Sequence, residues 1–365
     1  MKCKQIINIK KYIMKKMIKF PSIEQFRTVV SNVNRHYNFT GLDENGEAIY
    51  DPSLPKPVLT FKGTVKLHGT NAAVSFNAPS GMWAQSRENI ITPEKDNAGF
   101  AFFAHSHEVE FMRLFHEVAV NNDIDMHKNT ITIYGEWAGA NIQKGVGVCN
   151  LPKSFFIFGV KITPHTETEE ELKDNPAYWV DYTYLRNTEV KIYNIDDYPT
   201  YSMEIDFNMP QLVQNQLSEI TIAVEEECPV AKAFGFSGIG EGIVWSCEYQ
   251  GVVHRFKVKG EKHSSSKVKT LAAVDVEKLN SIKEFVDYSV TESRVNQAIE
   301  NVFPNSEPLD VKKMGDVIRW VVNDVIKEEM DTMVENNVEP KEINKYISAK
   351  TREVFFEKLN QTVGL

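Results

Sequence analysis

Thr64-Val65-Lys66-Leu67-His68-Gly69-Thr70-Asn71 is the stretch on which the reading of this chain turns. It lies between two apolar runs, Val58, Leu59 and Phe61 before it and Ala72, Ala73, Val74 and Phe76 after it. Pro57 and Gly63 bound the first run, Pro79 and Gly81 the second, and both have the composition of strands. The pattern predicts that Lys66 stands at a strand end and faces a cleft. An amine held that way, among other cations, can act as a nucleophile. Taken alone, K-x-x-G fits a lysine snorkelling beside a glycine turn better than it fits a catalytic group. The remainder of the chain reverses that judgement.

Several further pieces carry chemistry. Trp83-Ala84-Gln85-Ser86-Arg87 reads as a strand ending in an arginine, whose planar fork suits phosphate oxygens. Thr130–Tyr134 alternates and reads as a strand delivering Gly135-Glu136; a carboxylate there can accept from a ribose hydroxyl. Phe155–Ile162 is another strand, rich in phenylalanine. In Gly238-Ile239-Gly240-Glu241-Gly242-Ile243-Val244 an acid precedes a strand, where it can hold a hard divalent cation. Val252–Val258 is the hairpin partner, and Lys257 and Lys259, two apart, share one face.

This ordered set resembles the covalent nucleotidyltransferases, in the K-x-H-G-T-N form of RNA ligases of the RNA ligase 2 type. Lys66-Leu67-His68-Gly69-Thr70-Asn71 resembles the nucleophile motif. Ser86-Arg87, Tyr134-Gly135-Glu136-Trp137-Ala138-Gly139 with Ile142-Gln143-Lys144, Phe155-Phe156-Ile157-Phe158, Glu241-Gly242-Ile243-Val244 and Phe256-Lys257-Val258-Lys259 follow in the family's order. The resemblance implies a fold of the α+β class, an antiparallel-rich nucleotidyltransferase domain (ATP-grasp-like ligase) over residues 21–265. A small all-α domain over 275–365 would then help seat the nucleic acid. It implies that Lys66 attacks ATP, and that Val65, Asn71, Arg87, Glu136, Phe158, Glu241, Lys257 and Lys259 bind the nucleotide. Phe158 would lie against adenine, and Glu241 and Glu136 would place Mg2+ or Mn2+. His68 and Gly69 would support the turn. The implied activity is ATP-dependent joining of 3′-hydroxyl and 5′-phosphate RNA ends, at a nick in duplex RNA or an RNA–DNA hybrid. It further implies a monomeric, cytoplasmic enzyme, working in host cytoplasm if viral. DNA ligase and GTP-dependent capping enzyme share the lysine chemistry, but the helical tail does not suit a β-rich barrel module. A non-catalytic RNA-binding protein is the reading from another class.

Composition is compatible with this. The 365 residues carry a net charge of −9, with 42% hydrophobic and 25% charged residues, as in a globular protein of two domains. Residues 161–230 hold fifteen acids against four bases, whereas 252–269 hold six bases against Glu261 alone. A basic stripe in an acidic chain suits an enzyme that grips phosphate at one place. No apolar run approaches the roughly 20 residues of a membrane span. The four cysteines form no C-x-x-C pair, which argues against a zinc site and for a reducing compartment.

Other expectations concern elements. Residues 1–20 are read as an upstream extension, Ile23–Val33 as a helix, and 99–120 as a single amphipathic helix. Residues 163–176 are read as an acidic loop, Trp179–Tyr184 and Val190–Ile192 as strands and Gln211–Ala223 as a helix. His263–Lys267 is read as a polar linker, Ser289-x-x-Glu292 as a capping box, and apolar stripes at 311–325 and 343–355 as helices.

Overall fold

The computed structural model describes residues 15–51, 56–166, 169–260, 282, 285–304, 307–335 and 339–363. The linker expected at 263–267 and the boundary between 265 and 275 lie outside them.

Two sheets carry the motif residues, and the stretch around Lys66 joins them. Strand β3 (Val58–Lys66) alternates, with Leu59, Phe61 and Val65 buried and Thr60 and Lys62 exposed, as a half-buried strand must. After the turn at 67–69 the chain enters β4 (Thr70–Asn77) in a different sheet. Strands β1 (Phe39–Leu42) and β2 (Ala48–Tyr50) form the small hairpin that Asn45-Gly46 foreshadows. Sheet one also contains β11 (Thr200–Asp206), β12 (Gly242–Tyr249) and β13 (Val252–Lys259), in the order β11-β3-β12-β13. Sheet two adds β5 (Gly81–Ser86), β6 (Ile90–Ile91), β7 (Asn129–Ala138), β8 (Ser154–Pro164), β9 (Tyr178–Val180) and β10 (Ile192–Asn194). Its order is β10-β8-β7-β4-β5-β6, with β9 also on β8. Only β10 and β8 run parallel among the described strand pairs, so the α+β, antiparallel-rich expectation holds.

The helices differ in detail from the sequence reading. Helix α1 (Phe26–Asn38) starts three residues late because Glu24 is held as a strand residue beside β13: its N–H donates to Arg255 O (3.3 Å) and its C=O accepts from Lys257 N–H (3.0 Å). Val29 and Val33 then point into the sheet-one core. The 99–120 stretch is two helices, α2 (Phe100–Ser106) and α3 (Glu108–Asn121), broken at His107 (φ −120°, ψ 33°). Both cover sheet two through Phe100, Phe111, Leu114 and Phe115. Part of the acidic loop is helix α4 (Glu169–Asp174), and α5 (Gln214–Glu226) and α6 (Pro229–Ala233) pack in the sheet-one core.

Helices α7 (Glu292–Val302), α8 (Met314–Glu335) and α9 (Pro340–Val363) bury Val295, Val317, Val321, Ile343, Ile347 and Phe355 in a third core. None of its residues belongs to the other two cores. The N-cap of α7 is Thr291, whose hydroxyl accepts from Arg294 N–H (3.1 Å), and not Ser289. Residues 285–289 form a helical turn of their own, so Ser289 lies at the end of that turn.

Candidate functional site

Register explains why the charged residues of sheet one meet. Gly242 of β12 pairs with both Lys66 of β3 and Lys259 of β13, and Val244 pairs with Lys257. Glu241, one residue before Gly242, therefore lies beside the end of β3. Lys66 Nζ donates to its Oε2 at 2.6 Å, Lys259 Nζ is 3.5 Å from Oε1, and His68 Nδ1 is 3.4 Å from Oε2. Burial alone would raise the Glu241 carboxyl; Lys66, Lys259 and His68 outweigh it and hold the group well below the usual carboxylate range.

Sheet two supplies the opposite wall. Asn71 pairs with Glu136, and Arg87 directly follows the end of β5, where Ser86 pairs with Ala72. Glu136 is half-buried, and its Oε1 accepts the Gly69 N–H at 2.9 Å. Gln143 Nε2 donates to Gly69 O at 3.1 Å, so the turn after Lys66 is pinned from both sides. Gln143 is a positioning residue that residue chemistry alone did not single out; its signal was the I-Q-K extension of the third motif. A Cβ on Gly69 would stand 2.4 Å from Trp137 O and 3.0 Å from Glu136 Cγ. Gly69→Ala is therefore expected to displace the turn, at a cost of about 1–3 kcal/mol, with loss of any Lys66 chemistry although Lys66 itself is intact. A thermal melt and an adduct assay on the same preparation check this.

Burial pushes the Glu136 carboxyl up to about 7, with the neighbouring Glu241 charge adding to the effect and Lys66 opposing it. Because this exceeds the ordinary value of 4.5, ionised Glu136 is unfavourable in the fold. Its stabilising contribution is complete below about pH 4.5 and is lost as pH rises through about 7.

Phe158 reaches the cavity through a β-bulge. Tyr134 pairs with Gly159 and Gly135 with Ile157, which leaves Phe158 as the extra residue of β8. Bulges re-aim side chains in this way. Its ring meets that of Phe20 edge-on, with centroids 5.0 Å apart. Phe20 belongs to a segment read from sequence only as an extension. Residues 15–20 run along sheet two: Ile18 N–H donates to Gln85 Oε1 (2.7 Å), and Tyr134 Oη–H and Trp83 Nε1–H donate to Ile18 O and Lys16 O.

Every site residue expected from sequence lines one cavity of about 590 Å³: Val65, Lys66, His68, Gly69, Asn71, Arg87, Glu136, Phe158, Glu241, Lys257 and Lys259. The volume suits a nucleotide-sized ligand. Val244, Ser246, Arg255 and Phe20 line it as well. The helical region completes the wall with Tyr288, Arg294, Glu328 and Glu329, which no local motif announces. Glu328 of α8 forms an ion pair with Lys257 and lies 3.6 Å from Arg87 Nη2. Its carboxyl, which burial would raise, is held down at about 2 by Lys257 and then Arg87. A carboxylate thus sits on the cations where phosphate oxygens would be expected.

Lysine, cations and carboxylates around one nucleotide-sized space define a site for phosphate chemistry. A model of the family described as RNA ligase matches residues 60–259, more than half of the chain, and the chain belongs to that family. Solved structures similar to it include Naegleria gruberi RNA ligase with PPi (14% identity, TM-score 0.37), a mutant of that ligase in apo form (13%, 0.40) and another mutant with AMP and Mn (14%, 0.38). Each match covers 67% of this chain and 57% of the other, so this chain matches little more than half the length of those proteins. Among curated proteins none matches the chain.

Proposed function

We propose that the protein is an ATP-dependent RNA ligase that seals 3′-hydroxyl and 5′-phosphate ends through a lysyl–AMP intermediate. The observation that carries this reading is the convergence of Lys66, Glu241, Lys259, Lys257, Arg87 and Glu136 on one cavity whose other end holds Phe158. Lys66 Nζ attacks the α-phosphorus of ATP, a phosphorus–nitrogen bond forms, and pyrophosphate leaves. The AMP passes to a 5′-phosphate on RNA. A 3′-hydroxyl then attacks that phosphate and expels AMP.

Negative charge develops on phosphate oxygens at each step, so fixed cations and geometry should supply the catalysis. Lys66 begins in an ion pair and must leave it to act as a nucleophile. Lys259 remains on the same carboxylate when it does, so Glu241 is not stranded. Arg87 and Lys257 would hold phosphate once Glu328 withdraws, and Asn71 and Glu136 would orient the nucleotide. Phe158 offers its face to adenine.

Glu241 and Glu136 are hard oxygen donors suited to Mg2+ or Mn2+. Among the described residues no group of three or more His, Cys, Asp or Glu forms a cage, so phosphate and water would complete the shell. The ion's part is to neutralise charge on the phosphates. A proton on Glu136 competes with it. Apparent Mn2+ affinity is expected to fall about tenfold per pH unit below about 7 and to level off above it. Glu136→Gln should flatten that slope. Manganese EPR titration across this range, without nucleotide, measures it; an unchanged slope in the variant takes Glu136 out of the metal site.

The reading is tested with purified protein, magnesium and α-labelled ATP or GTP, followed by a nicked RNA duplex or an RNA–DNA hybrid. Label from ATP only, discharged as strands are sealed, supports it. Label from GTP favours a capping enzyme, sealing of nicked DNA a DNA ligase, and no label a non-catalytic RNA-binding protein.

A further inference from the structure

Arg255 is a cation of the cavity that forms no ion pair among the described residues; Glu248, two residues beyond its strand partner, acts on it only at longer range. Arg255 of β13 lies opposite Ser246 of β12, and both line the space. Its guanidinium carbon is 4.2 Å from the Trp179 ring centroid and 5.3 Å from that of Phe20. Five other cations of the site are matched, Lys66 and Lys259 by Glu241, Lys257 and Arg87 by Glu328, and Arg294 by Asp324; Lys144 lines the cavity as well. Among the described residues no side chain or carbonyl accepts a hydrogen bond from the Arg255 guanidinium. The Arg255 carbonyl, by contrast, accepts from Glu24 N–H.

A guanidinium carries five N–H donors, and leaving them without acceptors when partly buried is costly. Aromatic rings offer such a group no hydrogen-bonding oxygen, so its N–H donors are left for a ligand. Position along the strand says what those donors meet. Arg255, Lys257 and Lys259 alternate onto one face of β13, so Arg255 lies about 13 Å along the strand from Lys259. Lys259 stands beside Glu241 and Lys66, at the phosphate end. Arg255 stands beside Phe20, which in turn meets Phe158, at the aromatic end. Planar donors at the aromatic end of such a cavity face the edge of a base.

We propose that Arg255 is a base-reading residue, donating N–H to a ring-nitrogen acceptor on the edge of the purine that lies against Phe158. The proposal rests on the reading of the cavity as an ATP site. Trp179, with its centroid at 4.2 Å, and Phe20, at 5.3 Å, hold the guanidinium at this end of the cavity. This gives residues 15–20 a purpose: their bonds to Gln85, Tyr134 and Trp83 fix Phe20 over the arginine.

The test measures lysyl-adduct formation by the wild type and by Arg255→Met with ATP and its 1-deaza, 3-deaza and 7-deaza analogues. In the wild type one analogue should show a KM about tenfold above that of ATP, the loss of one charge-assisted hydrogen bond. In Arg255→Met the KM for ATP itself should rise about tenfold, kcat should stay close to wild type, and that analogue should suffer no further loss. Ratios between nucleotides on one preparation do not depend on the fraction folded. Normal labelling with the same analogue pattern in both proteins overturns the role of Arg255 while leaving the ATP reading intact. No label of the wild type by any purine triphosphate overturns the ATP reading, and the role of Arg255 with it.

Discussion

Lys66→Ala is expected to abolish covalent labelling by α-labelled ATP while the protein stays folded. The side chain is 20% exposed and stands at the end of β3, beyond the apolar residues that fix the strand in its core. Removing it takes one of three partners from Glu241; Lys259 at 3.5 Å and His68 at 3.4 Å remain. The carboxylate is 4% exposed, so the loss of its shortest contact should cost about 1–3 kcal/mol of stability and no more. Lys66→Arg separates the two roles of this residue. A guanidinium can keep the ion pair to Glu241 but stays protonated and is no nucleophile. It should melt close to the wild type and still take no label. Label on Lys66→Ala would move the nucleophile elsewhere, with Lys257 and Lys259 the nearest amines to examine by peptide mapping.

The site was largely legible in the sequence because its parts are local. Lys66 ends one strand and Gly69 lies in the turn that follows it, and Glu241 and Lys259 sit side by side at the open end of one hairpin. Pairing then does the remaining work, since strands of predictable type have few ways to align. What escaped was of another kind. The resemblance singled out Phe158, but the bulge that turns it inward is revealed only by the register of β7 against β8. The edge strand β11, with Met203 and Ile205 buried, owes its place to pairing with β3 along its whole length, in a region of short strands with weak signals. Helix α1 starts late because Glu24 is recruited by β13, about 230 residues away. Glu328, Tyr288 and Arg294 reach the cavity by docking of a distant helical region, and no motif in their neighbourhood encodes a partner in another core.

That docking carries the second large expected effect. The helical region meets the sheets through polar contacts: Lys327 Nζ donates to Ser22 Oγ (3.0 Å), Gln25 Nε2 to Glu328 O (3.4 Å) and Ser86 Oγ to Glu300 Oε2 (3.5 Å). Arg27 pairs with Asp331, and Lys257 with Glu328. Apolar cores lie on either side of this seam and do not cross it. The Lys257–Glu328 pair is the buried one, with side chains 9% and 11% exposed. Removing one member of such a pair leaves an uncompensated buried charge, at a cost of about 3–5 kcal/mol. A domain with its own core need not bear that cost, because it can swing away and let Lys257 reach water. Glu328→Ala should therefore open the molecule rather than unfold it. The expected sign is a larger radius of gyration in solution scattering, with little change in the melting of the sheets. Nucleotide phosphate should then find Lys257 and Arg87 unoccupied, so the KM for ATP in adduct formation should fall. Charge mutants on the exposed face of α8, such as Arg319→Ala, should do neither. Acid should mimic Glu328→Ala only at an extreme. The Glu328 carboxyl is held at about 2, so its contribution is present above the ordinary value of 4.5 and is lost as pH falls through about 2. At neutral pH, salt is the practical lever on the exposed contacts and the buried pair resists it. A Glu328→Ala protein that scatters as the wild type does, with an unchanged KM for ATP, would show that the seam is held by its other contacts and that Glu328 does not compete with phosphate.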